Sequence, residues 1–276
     1  MSDPNASAVV APQQDQKVVV LQDTYTFDPG GFPAGFKNRF KGIVDRKRAL
    51  ITLWVDVAWV NKHEGWKAQK NVNGPRDYAS FQQTFKSVVE TGWSQVWKLK
   101  PDVPFDGNLY YKCKVYINNL TSTSDPHQLL VTVWDGYAAD APNRSFAQPK
   151  NSSQPDSDRL MDLKTKGGTT ESDISYQQQP FPPSPKTPTT QFSRCTAVHE
   201  FGHHIGLHHP LEHLGNSDDA YGRTEEEARG VMGWGNVVKK ENYSPFIKIA
   251  ERFYAKVSPS NSNKWTVVSS DSGVTE

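Results

Sequence analysis

One eleven-residue stretch, positions 199 to 209, limits the fold of this 276-residue chain more than any other segment. It contains His199, Glu200, His203, Gly206 and His209 at fixed spacing. Helical side chains four positions apart lie on one face, so the spacing predicts that His199 and His203 bind one metal ion. Gly206 can adopt a left-handed backbone conformation, which would end the helix and return His209 as a third ligand.

The ligand set favours catalytic zinc. Three protein nitrogens leave the fourth position of a tetrahedral ion open, whereas structural sites fill all four. Glu200 follows the first ligand and can act as a general base on a water. The alternative interpretation is a histidine-rich surface helix, because six of the eight histidines lie between positions 199 and 213. Clustering alone does not explain the spacing of Glu200 and Gly206.

Three neighbouring histidines are not needed as ligands. His204 points roughly 100° away from His203 around a helix, and we expect His208 and His213 to be exposed to solvent. His208 stays open as an alternative third ligand, although the Gly-x-x-His spacing favours His209. His213 is a candidate donor to a substrate or an oxyanion.

The extended motif resembles that of the metzincin clan of zinc endopeptidases. Those proteins also have a Met-containing turn below the metal, and residues 230–234, with Met232 at the centre, are similar to it. An ordinary core methionine is the alternative interpretation of Met232. The resemblance implies an α+β fold with a mixed twisted sheet and two main helices in an N-terminal lobe. It also implies a small C-terminal lobe with the Met-turn and a terminal helix, and a zinc cleft between the lobes.

The residues around the motif agree only in part with individual families of the clan. Pro210 follows the third ligand, as in serralysin-like proteins, but this chain has Trp234 where serralysin- and astacin-like proteins carry tyrosine. An indole offers only an N–H donor. Any switching tyrosine would therefore be another residue, such as Tyr221. We treat Tyr221 and Trp234, like His213, as candidates for substrate or oxyanion contacts.

Composition and charge exclude some classes of partner. The chain has 31 basic and 30 acidic residues, which gives no electrostatic argument for nucleic acid or an anionic membrane. The most apolar run, 49–60, is interrupted by Asp56 and is too short to span a bilayer. The N-terminus lacks the basic start and apolar stretch of a secretory signal. We expect secretion or delivery by a signal-independent route rather than a cytoplasmic location, and the sequence leaves the oligomeric state open.

The two cysteines set no disulfide framework. Cys113 lies on the apolar face of an alternating run, and Cys195 precedes His199 by four residues. Buried thiols are the favoured interpretation, and a Cys113–Cys195 bridge remains an alternative.

The resemblance implies one metalloprotease domain at 25–276, which follows a polar extension at 1–24. Its N-terminal lobe would cover 25–209 and its C-terminal lobe 210–276. We predict strands at 48–60, 109–120 and 128–134, a helix at 77–97, an active helix capped near Thr189 or Thr190, and a final helix from Ser244.

The segment 136–190 is crowded with Pro, Gly, Ser, Asp and Thr, which predicts little regular structure. The resemblance implies that it holds an edge strand that pairs with an extended substrate, and residues 144–147 are the candidate. A solvated loop is the alternative. A structural calcium ion would use acidic residues of this segment, but no loop pattern supports one. The residues concerned are Asp156, Asp158, Asp162 and Glu171.

These observations predict a zinc-dependent metalloendopeptidase with one catalytic Zn²⁺ and a protein or peptide substrate. Glu200 would assist the attack of a zinc-bound water on the peptide bond. Two alternatives remain: a catalytically silent zinc-binding or adhesive module on the same fold, and a protease that acts as a delivered effector or toxin.

Overall fold

The structure is a computed structural model, and its described residues form a mixed α+β fold. They comprise 21–24, 40–63, 77–94, 96–104, 107–135, 146–149, 159–165, 173–180, 191–211, 213, 218–258 and 263–269. The strands are β1 (Leu21–Thr24), β2 (Lys41–Asp45), β3 (Leu50–Lys62), β4 (Trp97–Pro101), β5 (Tyr111–Asn119), β6 (Leu129–Asp135), β7 (Phe146–Pro149), β8 (Arg159–Thr165), β9 (Gln177–Pro180), β10 (Gln191–Arg194) and β11 (Trp265–Ser269). The helices are α1 (Tyr78–Trp93), α2 (Thr196–His204), α3 (Glu225–Ala228) and α4 (Ser244–Val257).

Nine of the strands form one mixed sheet, and seven of these follow the order β11-β4-β5-β3-β6-β8-β7. Strands β3, β5, β6 and β8 are parallel, while β7 and β4 add antiparallel neighbours on the two sides. The long β3 also pairs through its first half with β2, which pairs with β1. Strands β9 and β10 form a separate antiparallel pair directly before α2.

Helix α1 packs on the sheet because its apolar side chains recur at helical spacing. Phe81, Phe85, Val89 and Trp93 are buried, and Asp77 caps the helix by accepting from the Ser80 N–H at 2.7 Å. Two of these rings meet Trp59 of β3 edge-to-face, Phe81 at 6.4 Å and Phe85 at 5.2 Å between ring centroids.

The polar side of α1 also satisfies the edge of β5. Strand β4 pairs only with the start of β5. Further along, Glu90 accepts from the Ile117 N–H at 2.8 Å, and Ser94 accepts from the Val115 N–H at 3.0 Å. Lys86 donates to the Ile117 carbonyl. Because these three helix positions are four residues apart, one face of α1 replaces a neighbouring strand.

The same helix connects the sheet to α2. The buried indole of Trp93 donates to the Val198 carbonyl at 3.0 Å, and its ring lies 6.4 Å from that of Phe201. The Tyr243 hydroxyl, at the start of α4, donates to the Trp93 carbonyl at 2.9 Å. Helix α1 therefore fixes α2 and α4 relative to the sheet.

Periodicity located most of the long elements. The predicted strands at 48–60, 109–120 and 128–134 correspond to β3, β5 and β6, and the predicted helix at 77–97 corresponds to α1, which ends four residues earlier. The predicted buried stripe of the last helix is confirmed at Phe246, Ile249, Ala250 and Phe253. That helix begins with Ser244 as its first residue rather than as its cap. Four residues of the predicted extension, Leu21–Thr24, form β1.

Two predictions are wrong. The active helix begins at Thr196 rather than near Thr189 or Thr190, because Gln191–Arg194 pairs with β9 as a strand. The segment 136–190 is not uniformly irregular, since it contains β7, β8 and β9. In β8, Met161, Asp162 and Leu163 are all buried, as in a strand that is covered on both faces.

The candidate edge strand lies partly within the described residues. Phe146 and Ala147 belong to β7, the terminal strand of the sheet, whereas residues 144 and 145 lie outside the described residues. Of the four acidic residues considered for calcium, Asp162 is described, and it accepts from the Trp134 indole at 2.7 Å. Among the described helices, none is long and apolar enough to cross a membrane.

Candidate metal centre

Helix α2 begins without a side-chain cap. The Asp173 carbonyl instead accepts from the Ala197 N–H at 2.8 Å and from the Cys195 thiol at 3.5 Å. The segment around Asp173 therefore fixes where α2 starts. His199 and Glu200 are both buried on this helix.

The end of α2 is a Schellman motif. Gly206 has a φ of 98°, the Leu207 N–H donates to the Gly202 carbonyl at 2.9 Å, and the Gly206 N–H donates to the His203 carbonyl at 3.0 Å. The predicted left-handed Gly206 is thereby confirmed. The turn reverses the chain and brings His209 back to the helix.

Three imidazole nitrogens converge at this turn. The Nε2 atom of His209 lies 3.2 Å from Nε2 of His199 and 2.9 Å from Nε2 of His203. Two nitrogens on a tetrahedral zinc ion, each at ~2.0–2.1 Å from the metal, are about 3.3 Å apart. The predicted ligands His199, His203 and His209 thus form a cluster that can hold a metal ion.

Hydrogen bonds to backbone carbonyls fix the tautomers of two ligands. His199 Nδ1 lies 2.7 Å from the Val231 carbonyl, and His203 Nδ1 lies 2.9 Å from the Leu207 carbonyl. A carbonyl only accepts, so each Nδ1 carries the proton and each Nε2 presents its lone pair. His209 Nε2 can donate to one of these at most, and a cation between them satisfies all three.

The electrostatic surroundings keep His199 neutral. Complete burial, the charge of Arg194, and the neighbouring His203 and His209 hold the pKa of His199 well below its usual value. A neutral imidazole is the form that binds a metal ion, so this environment suits a ligand.

The turn that contains Met232 packs directly against α2. Met232 is buried, and a β-carbon at Gly202 would overlap its Sδ atom and lie 3.1 Å from Cζ2 of Trp93. Val231, the preceding residue, provides the carbonyl that orients His199. The turn thus lies against the helix and orients one ligand.

Tyr221 and Trp234 both lie beside the histidines. The Tyr221 ring centroid is 4.0 Å from that of His209 and 5.6 Å from that of His199. The Trp234 ring centroid lies 4.7 Å from that of Tyr221, so Trp234 adjoins the histidines through Tyr221. The described geometry therefore brings two of the three candidate contact residues together with the ligands.

The remaining histidines have other surroundings. His204 is buried with its ring 5.9 Å from Phe201, while His208 and His213 are exposed. The geometry favours His209 over the alternative of His208 as third ligand, because the cluster within the described residues contains His209.

Both cysteines are free and buried, so the alternative of a disulfide is wrong. Burial, above all other causes, raises the pKa of Cys195 to about 11, and burial also raises the pKa of Cys113. Neither residue belongs to the metal cluster of the described chain.

Sequence reasoning missed Gly202, Arg194 and two carbonyl groups. Glycine inside a helix costs about 1 kcal/mol relative to alanine, so Gly202 carried a signal for close packing. The carbonyls of Val231 and Leu207 carried none, since every residue has a carbonyl. Arg194 also carried none, because its neighbours at the site come from distant parts of the chain.

A cavity of about 350 Å³ lies next to the ligands. Its lining includes Leu207, His209, Met232, Glu227 and Lys239. Its size suits a side chain or a small ligand group, and it opens beside the metal cluster.

Comparison of the chain with protein-family models, curated proteins and solved structures found no match in any of the three.

Proposed function

We propose that this chain is a zinc-dependent metalloendopeptidase of the metzincin type. One observation carries the proposal: three Nε2 atoms converge, and carbonyl hydrogen bonds orient the lone pairs of His199 and His203. Imidazole also suits copper, iron and nickel. Three histidines in an HExxHxxGxxH motif, with the fourth position open, favour zinc.

Bound zinc would polarise a substrate carbonyl and lower the pKa of a water. We assign the proton transfers to Glu200, which follows His199 on α2 and is buried. Its carboxylate would take a proton from the attacking water and return it to the departing amine. The position of Glu200 directly after His199 supports this assignment, because a general base must lie within hydrogen-bond reach of the water that it activates.

Strand β7 supports an endopeptidase rather than an enzyme for small molecules. It is the terminal strand of the sheet, runs antiparallel to β8 and contacts α2. An extended peptide can add to such an edge through main-chain hydrogen bonds. We propose that β7 holds the substrate beside the metal in this way.

Cleavage of a peptide library, followed by mass spectrometry, tests the proposed function. We expect the purified protein to contain one zinc ion, to cleave internal peptide bonds, and to lose activity with a chelator until zinc is restored. Glu200→Gln is the matched variant, because it is isosteric. It should keep zinc and lose hydrolysis.

Two results would contradict the proposal. One is a wild-type protein that binds zinc and cleaves no library peptide, as expected of a silent zinc-binding module. The other is Glu200→Gln protein that cleaves at the wild-type rate, which would exclude Glu200 as the base.

A further inference from the structure

One side of the metal site contains a cation stacked on two aromatic rings. Arg194, the last residue of β10, has its guanidinium carbon 5.2 Å from the Tyr221 ring centroid and 5.5 Å from that of Trp234. Tyr221 in turn contacts His209 at 4.0 Å between centroids. The same tyrosine ring therefore contacts both the guanidinium and a histidine of the cluster. We call Arg194, Tyr221 and Trp234 the cationic corner.

The charge of this corner has no carboxylate partner in the described part of the chain. Arg194 Nε is buried there without a hydrogen-bond partner, as is the indole nitrogen of Trp234. Native proteins pair nearly all buried donors, and an arginine beside a cleft usually pairs with a carboxylate. Cation–π contacts retain the charge here but accept none of its five N–H groups.

No ion pair of the described residues includes Arg194. Arg223, which is near Tyr221 in sequence, already pairs with Asp219 at 3.1 Å and is largely exposed. Burial above all, and after it the charge of Arg194, lower the pKa of His199, so this charge reaches a residue of the histidine cluster. A negative group on an incoming ligand that reaches the guanidinium is therefore favoured.

We infer that Arg194 is a specificity residue that binds a carboxylate of the substrate near the scissile bond. This inference rests on the proposed function and names its substrate class: peptides with an acidic side chain, or a free C-terminus, beside the cleaved bond. An extended chain advances about 3.3–3.6 Å per residue. A carboxylate that reaches the guanidinium beside Tyr221 therefore belongs to one of the first two residues next to the scissile bond. The terminal amino groups of the guanidinium can bind both carboxylate oxygens.

A purely structural role for Arg194 makes a different prediction. If its only function were to hold Tyr221 and Trp234, substitution would alter stability and the cleavage of all peptides alike. A carboxylate-binding role instead changes the ratio between an acidic substrate and its amide counterpart. That ratio is therefore the measurement of choice.

Binding is tested with two dipeptide hydroxamates that differ only by aspartate or asparagine in the residue next to the hydroxamate. The probes bind the metal directly, so no cleavage is needed. We expect zinc-loaded Glu200→Gln protein to bind the aspartate form about tenfold more tightly, as for a charge-assisted hydrogen bond. The double variant Glu200→Gln/Arg194→Gln should reduce this ratio to near one.

Cleavage is tested with peptides that share one cleaved sequence. They carry aspartate, asparagine or lysine beside the bond, and a second pair has a C-terminal acid or amide. We expect an acid-over-amide preference in wild-type kcat/KM, mainly through KM, and Arg194→Glu should shift the preference toward lysine. A preference for aspartate over asparagine identifies an acidic side chain as the bound group. A preference for the C-terminal acid over the amide identifies a free C-terminus.

Three further variants separate charge from packing. Arg194→Lys keeps the charge and loses the planar fork, so it should retain part of the preference. Trp234→Phe keeps a stacking ring and should also retain it. Arg223→Gln removes an equal charge nearby and should leave the ratio unchanged. Circular dichroism and zinc content confirm that each variant is folded and loaded.

The outcomes distinguish the inference from the proposed function. Equal affinity for both hydroxamates, or an unchanged ratio in the Arg194→Gln background, would overturn the inference even if peptides are cleaved. Discrimination between the hydroxamates without any peptide cleavage would overturn the proposed function and leave the carboxylate site standing.

Discussion

Gly202 and Met232 are in such close contact that the turn fits under α2 only because position 202 has no side chain. Gly202 lies between the ligands His199 and His203, and Met232 follows the residue whose carbonyl orients His199. This contact therefore sets the distance between the helix that carries two ligands and the turn that orients one of them.

Gly202→Ala should destabilise the protein although alanine is the better helix former. The added methyl group overlaps Met232 Sδ and approaches Trp93, and overpacking of this kind costs about 1–3 kcal/mol. Urea unfolding of the single variants and of Gly202→Ala/Met232→Ala measures the coupling. We expect the double variant to lose less free energy of unfolding than the two single variants lose together. If the losses simply add, the contact between the two side chains is not the cause.

Gly206→Ala should weaken metal binding as well as stability. At a φ of 98° a non-glycine residue costs about 1–2 kcal/mol, and relief of that strain would rotate the segment that carries His209. Zinc affinity, measured by competition with a chromophoric chelator, should fall.

Gly107→Ala is the matched control for Gly206. Its φ of 75° is also left-handed, and no atom lies within 4 Å of an added β-carbon. Gly107 does not belong to the histidine cluster. It should lower stability to a similar extent and leave zinc affinity unchanged. A loss of affinity in both variants would mean that global destabilisation, not the position of His209, weakens binding.

Local pattern predicted those parts of the fold in which burial repeats along the chain. In α1 and β5 the buried side chains recur at helical and alternate spacing, so each element could be located without its neighbours. Strands β9 and β10 could not, because QQQP and QFSR are short and mostly polar. Only their pairing with each other makes them strands.

The candidate metal site also has features that local pattern predicts and features that it does not. The three ligands and Gly206 were predictable, because helix geometry and a left-handed turn relate positions only a few residues apart. The Val231 carbonyl and the Arg194 stack were not, since they lie 32 and 27 or more residues from their partners and depend on tertiary packing. Sequence therefore predicted which three imidazoles come together, and the fold supplied the groups that orient two of them.

Cys195 should resist alkylation in the native protein. Burial raises the pKa of its thiol to about 11, whereas the same thiol in an unfolded chain ionises near 9.0. Only the thiolate reacts, so native Cys195 should react slowly with iodoacetamide at pH 8 and rapidly in guanidinium. Mass spectrometry of the labelled peptides measures both rates.

The same shift makes stability depend on alkaline pH. Between pH 9 and 11 the unfolded chain binds fewer protons at Cys195 than the native protein does, so this thiol lowers stability as the pH rises through that range. Cys195→Ala should show a shallower decline in urea unfolding from pH 9 to 11. An identical decline in both proteins would mean that Cys195 is not buried as a thiol.

Removal of the metal should lower thermal stability in a way that depends on His209. A ligand that binds only the native state stabilises it by about 2.7 kcal/mol at a concentration of 100 times its Kd. We therefore expect Tm of the wild-type protein to fall with a chelator and to recover with zinc. His209→Ala should abolish the zinc-dependent rise, because it removes the Nε2 atom that lies within 3.2 Å of both other ligands.

His208→Ala is the control, because it removes an exposed imidazole from the adjacent position and leaves the cluster intact. Its Tm should rise with zinc as the wild-type Tm does. The comparison isolates the contribution of the turn, since the two variants differ by one position along the chain and only His209 faces His199 and His203. A zinc response that survives His209→Ala and disappears in His208→Ala would assign the third ligand to His208, and Gly206 would then not direct the chain as the geometry indicates.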